Sequence, residues 1–246
     1  MKRLRFKFGI FKTIFPVLFH YIPKAEYYLA HPEKYDKQKK FKLAQKIVHL
    51  ERKATWTKNL VYGLENLPKQ GGYIMYSNHQ GKYDALGIVV THTRPFSILW
   101  AKKSSQIILA SQESRLLECE IIDLENKSSF LSSIKNVANS VKGGNPYLIF
   151  PEGKYDDNKN TLQDFQTGCF MASFLSKSPI VPVALYDSYK AMDENKLFKP
   201  VTVQIHYLKP IFYEEYGKLN RKDLAELVKS RIQAKMIEIK NMEVSK

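Results

Sequence analysis

Cysteine is nearly absent: of 246 residues only Cys119 and Cys169 carry a thiol, far apart and without a Cys-x-x-Cys pairing. That argues against a disulfide framework or a zinc module and suits a reducing compartment. Long apolar runs are missing too. No segment approaches the roughly 20 apolar residues needed to span a bilayer, and no signal-peptide cleavage pattern follows the N-terminal apolar stretch. The chain is therefore expected to face the cytosol, neither crossing a membrane nor leaving the cell. No serine stands in a Gly-x-Ser-x-Gly elbow, so a covalent acyl-enzyme is not indicated. Internal repeats and low-complexity tracts are lacking as well.

Acidic residues are scarce beside basic ones, 24 against 39, for a formal charge of +15 and an isoelectric point near 9.6. Such a balance predicts an anionic partner, either nucleic acid or acidic lipid. The distribution favours lipid. The first segment, "MKRLRFKFGIFKTIFPVLFHYIP", interleaves Lys2, Arg3, Arg5, Lys7 and Lys12 with Phe6, Phe8, Phe11, Phe15 and Phe19. A basic, aromatic-rich helix of this kind lies in the headgroup region, each lysine contributing about 1 kcal/mol on anionic lipid. No recognised nucleic-acid reader motif is present, and no nucleic-acid partner is expected.

Residues 1–57 read as a basic, amphipathic helical segment, the stretch from 36 to 60 as a helix with Phe41, Ala44, Ile47 and Val48 on its apolar side. The remaining domain is expected over 58–246, where the turn-rich "VYGLENLPKQGG" gives way from Tyr73 onward to short β-rich runs alternating with helical patterns. Strands are predicted at 73–77, 97–101, 119–123, 146–150, 180–185 and 201–208, and helices at 84–92, 104–112, 128–142, 164–177 and 221–241. That alternation predicts an α/β domain with a central, mostly parallel or mixed sheet flanked by helices.

His-x4-Asp occurs twice, as His31–Asp36 and His79–Asp84. The first lies beside Pro32 in a lysine-rich connector and reads as a solvated linker. The second follows a predicted buried strand and precedes Gly81 and an apolar helical run, a strand-to-helix loop of the sort that often carries chemistry. Histidine is a suitable base near neutral pH, and a carboxylate fixes its tautomer and stabilises the imidazolium. Metal binding is short of ligands here, since no second His or Cys clusters nearby. Farther on, "YLIFPEGKYDD" ends another apolar strand with Phe150, Pro151, Glu152 and Gly153, and Lys154 offers a cation at the same place.

Together these blocks resemble the 1-acylglycerol-3-phosphate acyltransferase family. "GLENLP" with "SNHQGKYD" is similar to the family's lead-in and His-x4-Asp block, "WAKKSS" to its lysine segment, "FPEG" to the third block and "IVPVAL" to the fourth, over about residues 58 to 210. The resemblance implies a glycerolipid acyltransferase fold in which His79 deprotonates a lysophospholipid hydroxyl and Asp84 orients His79. It further implies that Asn78, Lys102, Lys103, Phe150, Pro151, Glu152, Gly153 and Lys154 shape the substrate site. The acyl donor would be a thioester of acyl carrier protein or coenzyme A, with no metal or bound cofactor. Peripheral or monotopic attachment to an anionic membrane surface, on its cytoplasmic face, is the matching location. Two positions depart from the pattern: Tyr155 and Leu124 stand where arginines are expected to grip phosphate, and lysine does not reproduce an arginine fork. Two alternatives therefore stand beside 1-acylglycerol-3-phosphate: another lipid acceptor, or a non-catalytic lipid-binding protein of the same fold.

Overall fold

The computed structural model describes residues 15–107, 109–123, 126–192 and 200–244. Its centre is a seven-stranded sheet in the order β1-β7-β6-β2-β5-β3-β4. The strands are β1 (Thr57–Tyr62), β2 (Ile74–Ser77), β3 (Ser97–Ala101), β4 (Glu120–Ile122), β5 (Tyr147–Ile149), β6 (Ile180–Tyr186) and β7 (Val201–Tyr207). Every neighbouring pair is parallel except β6 with β7, so the sheet is mixed but mostly parallel, as expected. One consequence positions the site. The carboxyl ends of β2, β3, β4, β5 and β6 all emerge on the same edge, where α/β sheets usually bind ligands.

The two sheet faces bury separate cores. In β2, Met75 packs on one side while Ile74 and Tyr76 pack on the other, the alternation dictated by the strand period of two. The first core is closed by helices α1 (Ile22–Ala30), α2 (Lys37–Ala54), α3 (Tyr83–Thr91) and α4 (Ala110–Leu116), and the second by α5 (Lys127–Lys142), α6 (Met171–Ser176) and α7 (Arg221–Val244). Phe41, Ala44, Ile47 and Val48 of α2 join Tyr73, Met75 and Val181 in the first core, so the apolar side of this basic helix rests on the sheet. No helix among the described residues is long and apolar enough to cross a membrane.

The chain departs from expectation between 55 and 62. Helix α2 stops at Ala54, Trp56 turns with φ +55°, and Thr57–Tyr62 forms edge strand β1 beside β7. The β-branched and aromatic residues Thr57, Val61 and Tyr62 suit a strand, but the lysine and asparagine between them hid it inside a helical reading. Helix 164–177 is shorter than predicted: a 3₁₀ turn at Thr167–Phe170 precedes α6. The stretch predicted at 104–112 divides into a helical turn, Lys102–Ser105, and α4. Gly63 has φ +75°, and a Cβ there would overlap the Tyr207 carbonyl of β7, so glycine lets the loop after β1 pass close.

Helices α2 and α4 bring the carboxyls of Glu51 and Glu113 close enough to influence each other's charge, and one oxygen of each is buried without a hydrogen-bond partner. Burial pushes both groups well above the ordinary carboxylate range, and two carboxylates this close cannot both ionise. The unfolded chain releases these protons near pH 4.5, whereas the folded chain holds them, so the pair's stabilisation is present below that value and is lost as pH rises. Glu113→Gln should accordingly flatten the decline of the thermal midpoint between about pH 5 and pH 8. An unchanged slope, measured by calorimetry, would refute the raised carboxyls as its source.

Candidate active site

One residue, Asn78, separates His79 from the end of β2, in the loop that opens α3. Its Nδ1 lies 2.6 Å from Asp84 Oδ2. Asp84, in the first turn of α3, is fully buried and uses the same oxygen to accept the N–H groups of Gln80 and Gly81. Three donors on one oxygen fix the carboxylate, and the carboxylate fixes the ring. The helix start favours an acid at this position, where N–H groups lack partners. His79 keeps 18% of its side chain exposed, so its ring is open to a ligand while its partner is not.

Strand β5 pairs directly with β2, Ile149 opposite Tyr76, and this brings the next block to the histidine. The Phe150 ring stacks on the imidazole at 4.2 Å between centroids, tilted by 20°. The Glu152 carboxylate accepts the His79 backbone N–H at 3.1 Å. Burial raises the Glu152 carboxyl to about 7 despite that N–H, which favours the charged form. Pro151 is buried, its carbonyl accepting from Gln166 N–H, while Gly153 turns at φ +73° on the surface. Lys154 is exposed and sits 3.1 Å from Asp156.

Asn78 and the two lysines occupy different surroundings. The Asn78 amide is buried and clamps β6, donating to Leu185 O at 3.0 Å and accepting Leu185 N–H at 2.8 Å. Its side chain is spent on locking β2 to β6, which steadies the histidine that follows. Lys102 and Lys103 emerge from β3, two strands from β2 and therefore about 10 Å along the same edge at the usual strand spacing. Lys102 pairs with Asp123 at 3.2 Å, and Lys103 is exposed. Leu124 lies outside the described residues, as do residues 1–14.

Three further side chains join this site that sequence reasoning passed over. Gln80 donates to Asn160 Oδ1 and Leu185 O, and accepts from Ser188. Asn160 in turn donates to Asp187, and Asn158 donates to the His79 carbonyl at 3.2 Å. Thus the loop after β5 is stitched to both the base loop and the end of β6. The amide-rich run "DDNKN" was the available signal. His31 and Asp36, by contrast, serve helix ends: His31 Nδ1 meets Tyr27 O at the close of α1, and Asp36 accepts Lys39 N–H to cap α2.

A base whose second nitrogen is tied to a buried carboxylate can draw a proton from a hydroxyl presented at the open edge. Such an arrangement is chemically suited to general-base transfer or hydrolysis on a mostly parallel α/β sheet. The comparisons narrow the class: the chain belongs to the acyltransferase family, whose profile, described as Acyltransferase, matches residues 58–186. It is 28% identical to a 1-acyl-sn-glycerol-3-phosphate acyltransferase of Escherichia coli (strain K12), over 69% of each chain. A Borreliella burgdorferi protein with the same description is 27% identical, over 74% of this chain and 73% of its own. The crystal structure of the 1-acyl-sn-glycerophosphate (LPA) acyltransferase PlsC from Thermotoga maritima shares the fold, with a TM-score of 0.79 across 98% of both chains at 17% identity.

Proposed function

We propose that this protein transfers an acyl chain from a thioester to the free hydroxyl of 1-acylglycerol-3-phosphate, giving phosphatidic acid for phospholipid synthesis. The observation that carries the reading is the His79–Asp84 hydrogen bond at the carboxyl edge of β2, in a chain of the acyltransferase family. The acceptor hydroxyl gives its proton to His79 as its oxygen attacks the thioester carbonyl. The tetrahedral intermediate then collapses, the carbon–sulfur bond breaks, and the imidazolium returns the proton to the departing thiolate. Asp84 steadies the charge that His79 carries between these steps. Phe150, Pro151, Glu152 and Gly153 shape the acceptor side, and Asn78 holds the strand ends in place.

Phosphate recognition falls to lysines. Lys102, Lys103 and Lys154 stand on the site's edge, and an arriving phosphate competes with Asp123 and Asp156 for two of them. The donor is acyl carrier protein or coenzyme A carrying the chain. A thiol-trapping assay with acyl-coenzyme A and 1-acylglycerol-3-phosphate should show release of free thiol that requires the acceptor. Release at the same rate without acceptor would contradict transfer.

The basic aromatic residues 1–22, forming the start of an N-terminal unit over 1–57, bind the chain peripherally or monotopically to the cytoplasmic membrane face. Exposed Phe15, Leu18 and Phe19 support this reading, since large rings left in solvent suit a lipid surface. Deleting residues 1–22 is expected to weaken sedimentation with anionic vesicles. Undiminished sedimentation would place the membrane contact elsewhere.

A further inference from the structure

The position where the family resemblance calls for a phosphate-gripping arginine is occupied by Tyr155, and the structure gives that residue a different neighbour. The Tyr155 ring meets the His79 imidazole at 4.6 Å between centroids and 68°, while Phe150 stacks on it at 4.2 Å and 20°. The His79 ring is therefore held by three groups: a carboxylate on its Nδ1 and two aromatic rings around it. Tyr155 is half-buried and belongs to neither hydrophobic core, so packing the domain interior does not account for its place.

The loop that carries Tyr155 is fastened to the base itself. Asn158 donates to the His79 carbonyl and to Thr161 O, and its side-chain oxygen accepts Asp156 N–H. Residues 155 and 158 thus contact the ring and the backbone of the same histidine. An edge-to-face aromatic contact is directional as well as apolar, so it constrains ring orientation in a way an aliphatic side chain would not. A guanidinium in this place would instead put a fixed positive charge against an imidazole that becomes positive when it takes the proton, which opposes that step.

We infer that Tyr155 is a positioning residue for His79, closing an aromatic clamp with Phe150 around the base at the cost of an arginine for the acceptor phosphate. The inference rests on His79 acting as the base of the proposed reaction. Its consequence is a division of labour: residue 155 governs turnover, and the lysines govern acceptor affinity.

Three variants and two readouts test it. Tyr155→Leu should lower kcat by about 10-fold, the scale of losing one oriented aromatic contact, with KM for 1-acylglycerol-3-phosphate little changed. Tyr155→Phe, which keeps the ring, should recover most of that loss. Tyr155→Arg should lower kcat as Leu does while also lowering KM for the phosphate-bearing acceptor. The second readout needs no substrate: in the folded apo protein, the His79 ring-proton resonances should shift between wild type and Tyr155→Leu, because a ring current is removed, and should stay near their wild-type positions in Tyr155→Phe. An unshifted His79 resonance in Tyr155→Leu, or a Tyr155→Arg variant that gains affinity with kcat intact, would overturn the positioning role. Wild type that turns over no acceptor would defeat the proposed function instead, and the resonances would still decide the clamp.

Discussion

Replacing His79 by alanine is expected to lower kcat by about 10³-fold, within the range general-base assistance supplies. The loss follows from the geometry on both sides of the ring. Nδ1 is engaged by Asp84 at 2.6 Å, which leaves the other nitrogen for the acceptor hydroxyl, and no serine elbow offers a second route. Stability should change little. The ring is on the open edge, and removing it leaves the Glu152 carboxylate its backbone N–H partner. Circular dichroism and a thermal midpoint close to wild type would separate lost chemistry from lost fold. A variant keeping a tenth or more of its turnover would refute His79 as the base.

Asp84 should behave differently, because its carboxylate serves both the base and the backbone. Asp84→Asn keeps an oxygen for the Gln80 and Gly81 N–H groups but offers no negative charge to the imidazolium, so kcat should fall by about 10²–10⁴-fold with the fold retained. Asp84→Ala removes the acceptor altogether. Two buried N–H groups then lose their partner, and leaving buried donors unsatisfied should cost on the order of 3 kcal/mol in addition to the catalytic loss. Denaturant unfolding of the two variants gives the comparison. Equal stability of Asn and Ala variants would show that the turn does not depend on this carboxylate.

The contrast between those two residues reflects what a sequence makes legible. His79 and Asp84 are close along the chain and flank a strand-to-helix loop, so their pairing could be read from spacing and context alone. The same spacing at His31 and Asp36 serves two helix ends, and Pro32, the lysine-rich connector and the lack of a preceding strand distinguished it beforehand. Strands β2, β5 and β6 were legible because both of their faces are buried and their residues form continuous apolar runs. β1 was not: it lies at the sheet edge, buries only Thr57 of its six residues, and carries Lys58 and Asn59 within the strand.

The aromatic clamp was beyond reach for another reason. Tyr155 meets His79 only because β5 is inserted beside β2 and because Asn158 ties the following loop back to the base. Strand order is a property of the folded sheet, and no local pattern around Tyr155 encodes it. The missing arginine was visible as an absence; what the tyrosine does there required the neighbour to be seen. Asn78 illustrates the same limit, since its block suggested a substrate contact whereas its amide closes two hydrogen bonds on β6.

Acyl transfer by His79 is tested most directly by mass spectrometry of lipid products after incubation with an acyl thioester and a panel of lysophospholipids that includes 1-acylglycerol-3-phosphate. Wild type should yield phosphatidic acid heavier than the acceptor by the donor acyl group, and His79→Ala should yield almost none. Product from the alanine variant at the wild-type rate, or a wild type that acylates no member of the panel, would contradict it.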